Sequence, residues 1–93
     1  MITLMFSIFD TKTGIYGTPF FMQHAGQAIR AVQDLCDDMS TIVARHPADF
    51  ALVQLGFFDD NNSVFEPKYE NLGPCVSMMR QRVMATPLFE KES

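Results

Sequence analysis

Two histidines, two cysteines and two aspartate pairs are the side chains of this chain best suited to chemistry. His24 and His46 offer imidazoles as bases or metal ligands, Cys36 and Cys75 offer thiols for attack or soft-metal binding, and Asp37-Asp38 and Asp59-Asp60 offer bases or hard ligands. Their spacing speaks against a catalytic centre. Neither cysteine has a CxxC partner, so no zinc pair and no disulfide framework is signalled. Cys36 falls on the apolar stripe of a helical pattern, and both thiols read as reduced, small core residues. Asp59-Asp60 opens a turn, where aspartate is favoured for hydrogen bonds to its own backbone. His46, held extended by Pro47, reads as a loop histidine bonded to backbone. No glycine-rich phosphate loop is present either. The expectation is a protein that is not an enzyme and uses no cofactor or metal.

Residues suited to binding are better represented. Nine phenylalanines and two tyrosines in 93 residues exceed what so small a core needs, and Phe20-Phe21 and Phe57-Phe58 put rings on both sides of extended segments. Rings on an open sheet, flanked by cations, hold single-stranded nucleic acid by stacking without reading its sequence. The candidate stacking residues are Tyr16, Phe20, Phe21 and Phe57, and the candidate phosphate contacts are Lys12, Arg30, Arg45, Arg80 and Arg82. The alternative for each ring is burial under a helix or a second subunit. Charge limits the nucleic-acid reading, because seven cations against eleven anions give a net charge of −4 and leave no basic track. DNA binding then needs local clustering, stacking, or a small patch doubled across a dimer.

The elements that must position these residues follow from hydrophobic period. Residues 2 to 9 alternate as a first strand, and Asp10-Thr11-Lys12-Thr13-Gly14 forms a turn whose glycine can take positive φ. Ile15-Tyr16 and Phe20-Phe21-Met22 read as a second strand, which Pro19 confines to a sheet edge or splits into short pieces. Ala25, Ala28, Ile29, Val32, Leu35, Cys36 and Met39 share one helical stripe, predicting the main helix over residues 24 to 38 with Arg30 paired to Asp34. Asp37 and Asp38 oppose the helix dipole at its end, and residues 40 to 45 have room for one more turn before Pro47. Phe50 to Phe58 reads as the central strand, with Phe50, Leu52 and Phe58 on one side and Ala51, Val53, Leu55 and Phe57 on the other. A five-residue loop returns to a short strand at Val64-Phe65-Glu66, residues 67 to 74 read as irregular, and a second helix is expected over about 75 to 85.

These elements predict an α+β fold of order β-β-α-β-β-α, in which an antiparallel sheet of about four strands packs one face on the main helix and a short helix lies near the C-terminus. One domain spans residues 1 to 85, and residues 86 to 93 form a tail. No apolar run reaches the ~18 residues of a membrane span, and the first residues lack the pattern of a secretory signal, so a cytosolic protein with no membrane partner is expected. The surplus of rings in so small a domain predicts a homo-oligomer, most simply a dimer.

Four ordered segments add a resemblance: Phe6-Ser7-Ile8-Phe9-Asp10, then Pro19-Phe20-Phe21-Met22, then Gly26-Gln27-Ala28-Ile29-Arg30-Ala31 with Asp34, and His46-Pro47-Ala48-Asp49-Phe50 with Leu55-Gly56 and Phe58-Asp59-Asp60. In this order and spacing, over residues 4 to 66, the chain resembles the small non-structural protein of gokushovirus-type microviruses, bacteriophages with circular single-stranded DNA. The resemblance implies a protein made in the host bacterial cytoplasm and absent from the mature capsid, which assists synthesis or packaging of the single-stranded genome by binding DNA. The alternative is an adaptor that contacts phage replication or procapsid proteins without touching DNA, a role that the net acidity favours.

Overall fold

The computed structural model describes residues 1–80. Arg82, the end of the helix expected over 75 to 85 and the tail expected over 86 to 93 lie outside the described residues. Strands β1 (Ile2–Asp10), β2 (Ile15–Tyr16) and β3 (Phe20–Met22) are followed by helices α1 (Ala25–Asp37) and α2 (Ile42–Arg45), then by strands β4 (Phe50–Asp59) and β5 (Val64–Pro74). All strands belong to one antiparallel sheet of order β2-β1-β4-β5, with β3 also pairing β1. The expected α+β architecture is therefore present, with Pro19 separating the second strand into β2 and β3. Gly14 takes the positive φ, 74°, that the β1–β2 turn requires, and the Asp10 carboxylate accepts the backbone N–H groups of Lys12 and Thr13.

The register of β4 carries the main departure from simple alternation. Met5 pairs with Gly56 but Phe6 pairs with Gln54, so Leu55 is one residue too many and forms a bulge. Paired residues of an antiparallel ladder share a face, and one inserted residue exchanges the faces of everything beyond it. Phe57 therefore pairs with Leu4 and stands on the side of Phe50 and Leu52, while Phe58 pairs with Thr3 and joins Ala51 and Val53. This corrects the strict alternation expected for Phe57 and Phe58. Phe50 to Gln54 are all buried, as a central strand demands, whereas Leu55 at the bulge is only half-buried. The return strand is longer than expected. Residues 67 to 74 continue β5 rather than running irregularly, because two further register shifts against β4 absorb Pro67 and Gly73-Pro74 without ending the ladder.

Helix α1 covers one face. Ala28, Val32 and Cys36 meet Phe6, Phe50 and Leu52 of the sheet, with Val43 of α2 and Cys75 completing the buried cluster. Thr41 joins the two helices: its hydroxyl accepts the Ala44 N–H at 3.1 Å and donates toward the Leu35 and Asp38 carbonyls at the end of α1. Near the C-terminus, Cys75–Met78 forms a 3₁₀ turn and Met79 is extended, so the short helix expected from residue 75 takes this tighter form in its described part.

Leu52→Ala should cost about 2–5 kcal/mol and Leu55→Ala under about 1.5, since only Leu52 fills the closed core. Chemical denaturation of the two variants checks this order. A Cβ at Gly56 would run into the Glu66 carbonyl and come 2.8 Å from the Phe65 ring. Gly56→Ala is therefore expected to lose about 1–3 kcal/mol, read from its melting curve.

Candidate functional site

The face of the sheet opposite α1 is where the aromatic residues gather. Register places Thr3, Met5, Ser7 and Phe9 of β1 on it, with Ala51, Val53 and Phe58 of β4, Phe65 and Asn71 of β5, and Phe21 of β3. Tyr16 pairs with Phe9 and belongs to the same side. Two clusters result. At one end Phe9 lies 4.5 Å, centroid to centroid, from Tyr16, and Tyr16 meets Tyr69 edge-on with the two hydroxyls 3.3 Å apart. At the other end Phe21 meets Phe58 edge-on at 6.2 Å, and the Phe65 ring closes over Gly56, where only a missing side chain leaves room.

Tyr16 and Tyr69 come from strands on opposite sides of the β1–β4 pair, so their contact spans both central strands. Ser7 and Val53, facing one another across that pair, have no exposed surface. Ser7 donates its hydroxyl to the Gly17 carbonyl at 2.8 Å, which ties β1 to the residue that follows β2. The outer rings stay wet. Tyr69 is 55% exposed, Phe21 48%, Tyr16 46% and Phe65 41%.

Among the described strand residues, no charged side chain lies on this face; the Met1 ammonium and the Asp60 carboxylate pair at 2.7 Å beyond the strand ends nearest Phe58. Asp10, Asp59, Glu66 and Glu70 all pair with residues on the helix side, and the Lys68 ammonium lies 5.7 Å from the centre of the Phe57 ring, also on that side. A solvated face of an antiparallel sheet ordinarily carries polar and charged residues. A face lined instead by half-exposed rings is the candidate binding surface of this domain.

The structure separates the residues expected to act together. Of the candidate stacking residues, Tyr16 and Phe21 lie on the open face, whereas Phe20 is on the helix side, stacked 5.9 Å from Phe6, and Phe57 is on the helix side beneath Lys68. Phe9, Phe58, Phe65 and Tyr69 are the face residues that sequence reasoning missed. The signal for Phe9 was its place in the alternation of β1, but no sequence signal places Phe58 on this face, because the bulge sets its side. Lys12 sits in the β1–β2 turn near the tyrosine end, 3.9 Å from Asp49. Arg30 is exposed on α1 and Arg45 on the last turn of α2, away from the open face. Arg30 does not make the expected pair with Asp34. That carboxylate bonds to Arg80 at 2.9 Å, and the other arm of the Arg80 guanidinium bonds to Asp37. Two carboxylates thus neutralise Arg80 and supply the cation that the end of α1 lacks.

Of the groups suited to chemistry, Cys36 and Cys75 are buried in the core, and burial with the neighbouring Cys36 pushes the Cys75 thiol up to about 11. Asp59 accepts the Asn61 N–H, as its turn position predicted. His46 caps α2 through its backbone and is exposed. A cleft of about 350 Å³ between the β1–β2 turn and α2 is lined mostly by apolar groups, among them Ile8, Ile15, Val43 and Phe50, with Asp10 and Thr13 at its edge. No helix among the described residues is long and apolar enough to cross a membrane.

The fold and this face define a small α+β domain whose antiparallel sheet is closed by a helix on one side and open, aromatic and uncharged on the other. The family model described as Phage ORF5 protein matches residues 3–79, and the chain belongs to that family of bacteriophage proteins. No curated relative and no solved structure matches it.

The raised thiol gives a test of the core. Because the folded state holds Cys75 protonated to a higher pH than the unfolded chain does, stability should be complete below about pH 9 and fall as pH rises from there toward about 11. Cys75→Ala should flatten that fall in pH-dependent denaturation, and neither native thiol should react with a thiol reagent near neutral pH.

Proposed function

We propose that this phage protein is a non-catalytic accessory of single-stranded genome synthesis or packaging, of the gokushovirus type, working in the cytoplasm of the infected bacterium by binding single-stranded DNA. The observation that supports this reading is the open sheet face itself. Tyr16, Tyr69 and Phe9 offer flat rings to unpaired bases, with the Lys12 ammonium at the adjoining turn for a phosphate. Stacking must supply most of the affinity, since the net charge is −4 and Arg80 is already occupied by Asp34 and Asp37. Duplex DNA, whose bases are not free to stack, binds worse.

One observation favours a second reading. Among the described residues no cation stands on the strands of this face, so an adaptor that holds a phage replication or procapsid protein by apolar contact fits it as well.

A salt-titrated anisotropy assay with single-stranded and duplex oligonucleotides separates the two. With about two or three phosphates contacted per subunit, log K against log salt should slope near −2 for the single strand, on ~0.7 per phosphate. Tyr16→Ala and Tyr69→Ala, checked for folding by circular dichroism, should each weaken binding by about 5- to 100-fold, the value of one stacked base. Arg80→Ala should leave it within about twofold, because an exposed, already paired guanidinium is a poor phosphate contact. Wild-type protein that fails to retard single-stranded DNA at low salt would overturn the DNA reading and leave the adaptor.

A further inference from the structure

The cleft between the β1–β2 turn and α2 belongs to the helix side of the sheet, where Ile8 and Asp10 of β1 pair with Leu52 and Phe50 of β4. Ile8, Ile15 and Phe50 line it from the strands and Val43 from α2, so its walls are apolar. One carboxylate interrupts them. Asp10 is half-buried, and its Oδ1 is committed to the turn, where it accepts the N–H groups of Lys12 at 2.9 Å and Thr13 at 3.3 Å. Its Oδ2 accepts no hydrogen bond among the described residues, and no cation among them pairs with it, since Lys12 reaches toward Asp49 instead, at 3.9 Å. A partly desolvated carboxylate with an open oxygen favours a donor, and a charged donor most.

We propose that this cleft receives a lysine or arginine side chain from a basic segment of a partner protein. The aliphatic stem of such a side chain lies along Ile8, Ile15 and Val43 while its head reaches Asp10, which is how long cationic side chains use apolar surface beside an acid. Thr13 and Tyr16, also at the cleft, add a hydroxyl acceptor and a ring face for the cation.

Charge and size select this occupant. Asp10 repels phosphate, and a second copy of the chain carries −4 and brings more acid than base. At about 350 Å³ the cleft is at the low end of ligand pockets, ~300–1,000 Å³, and Ile15 and Tyr16 on its walls are 65% and 46% exposed. A free amine would stay half wet there. A side chain presented by a peptide is held by the contacts of its neighbours as well. The site faces the helix side, so it rests on neither reading of the open face.

Anisotropy of a short labelled peptide of alternating leucine and arginine, titrated with the full chain, tests the proposal. It should bind, and the same peptide with glutamine in place of arginine should bind at least about tenfold more weakly. Asp10→Asn keeps the acceptor that the turn needs and removes only the charge, so it should weaken the arginine peptide by about tenfold. Glu66→Gln, the same change of charge on β5, should leave binding within about twofold. Ile15→Ser, at an exposed wall, should weaken it by about threefold or more and serves as the second probe if Asp10→Asn misfolds by circular dichroism. In methyl NMR the bound peptide should move Ile8, Ile15 and Val43 and leave Met5 and Val53 in place. Wild-type protein that does not bind the arginine peptide at about 1 mM overturns the proposal. So does an equal loss in Asp10→Asn and Glu66→Gln, or movement of Met5 and Val53 instead of the cleft methyls. Asp10→Asn should not lower affinity for single-stranded DNA, which keeps a failure of this site distinct from a failure of the DNA reading.

Discussion

The pairing of β1 with β4, with Leu55 as its one extra residue, is the constraint on which the rest of this structure depends. Every other strand hangs on this pair: β2 and β3 on the free side of β1, β5 on the free side of β4. The bulge decides which rings each face receives. Without it, Phe57 would stand opposite the helix and Phe58 would turn toward it, and Phe21 would lose the ring against which it packs. Gly56, next to the bulge, then lets the Phe65 ring and the β5 backbone close in where any side chain would collide. Twist and kink at such a site are stable because the buried run Phe50 to Gln54 fixes the register on its other side.

The distribution of charge gives this domain two unlike surfaces. Along the described strands the charged side chains fall on the helix side, while the open face carries rings, aliphatics, Met5 and small polar groups. A half-covered sheet more commonly shows the reverse. Water is a poor occupant for such a face, and its cost is tolerable in solution only when rings shelter one another or a partner covers them. The first occurs in part: the Tyr16–Tyr69 contact lies over the two central strands, and Ser7 and Val53 are fully withdrawn from solvent.

The helical layer is held by polar bonds as well as by the core. Arg80 grips Asp34 and Asp37 from 46 and 43 residues away in sequence, bringing the chain after the 3₁₀ turn back onto α1. Being exposed, this cluster adds little to stability, yet it removes Arg80 from the set of cations available to an anionic ligand. The same geometry answers the helix-end problem raised by Asp37, whose charge opposes the dipole until a guanidinium is brought beside it.

Much of the fold was legible in the sequence. The stripe from Ala25 to Cys36 gave α1 to within a residue at either end, Pro19 marked the broken edge strand, Gly14 the turn and Phe50 to Val53 the core. These are local statements, made by period, by proline and by glycine, and local physics is enough to decide them. The site was legible only in kind. That rings would line an open surface followed from their number and their strands; which rings did not, because one inserted residue at Leu55 exchanges two faces and leaves no mark on hydropathy. Likewise nothing adjacent in sequence told Asp34 to prefer Arg80 over Arg30. Those choices belong to contacts between distant segments, and only the folded chain, by setting strand register and bringing the 3₁₀ turn against α1, decides them.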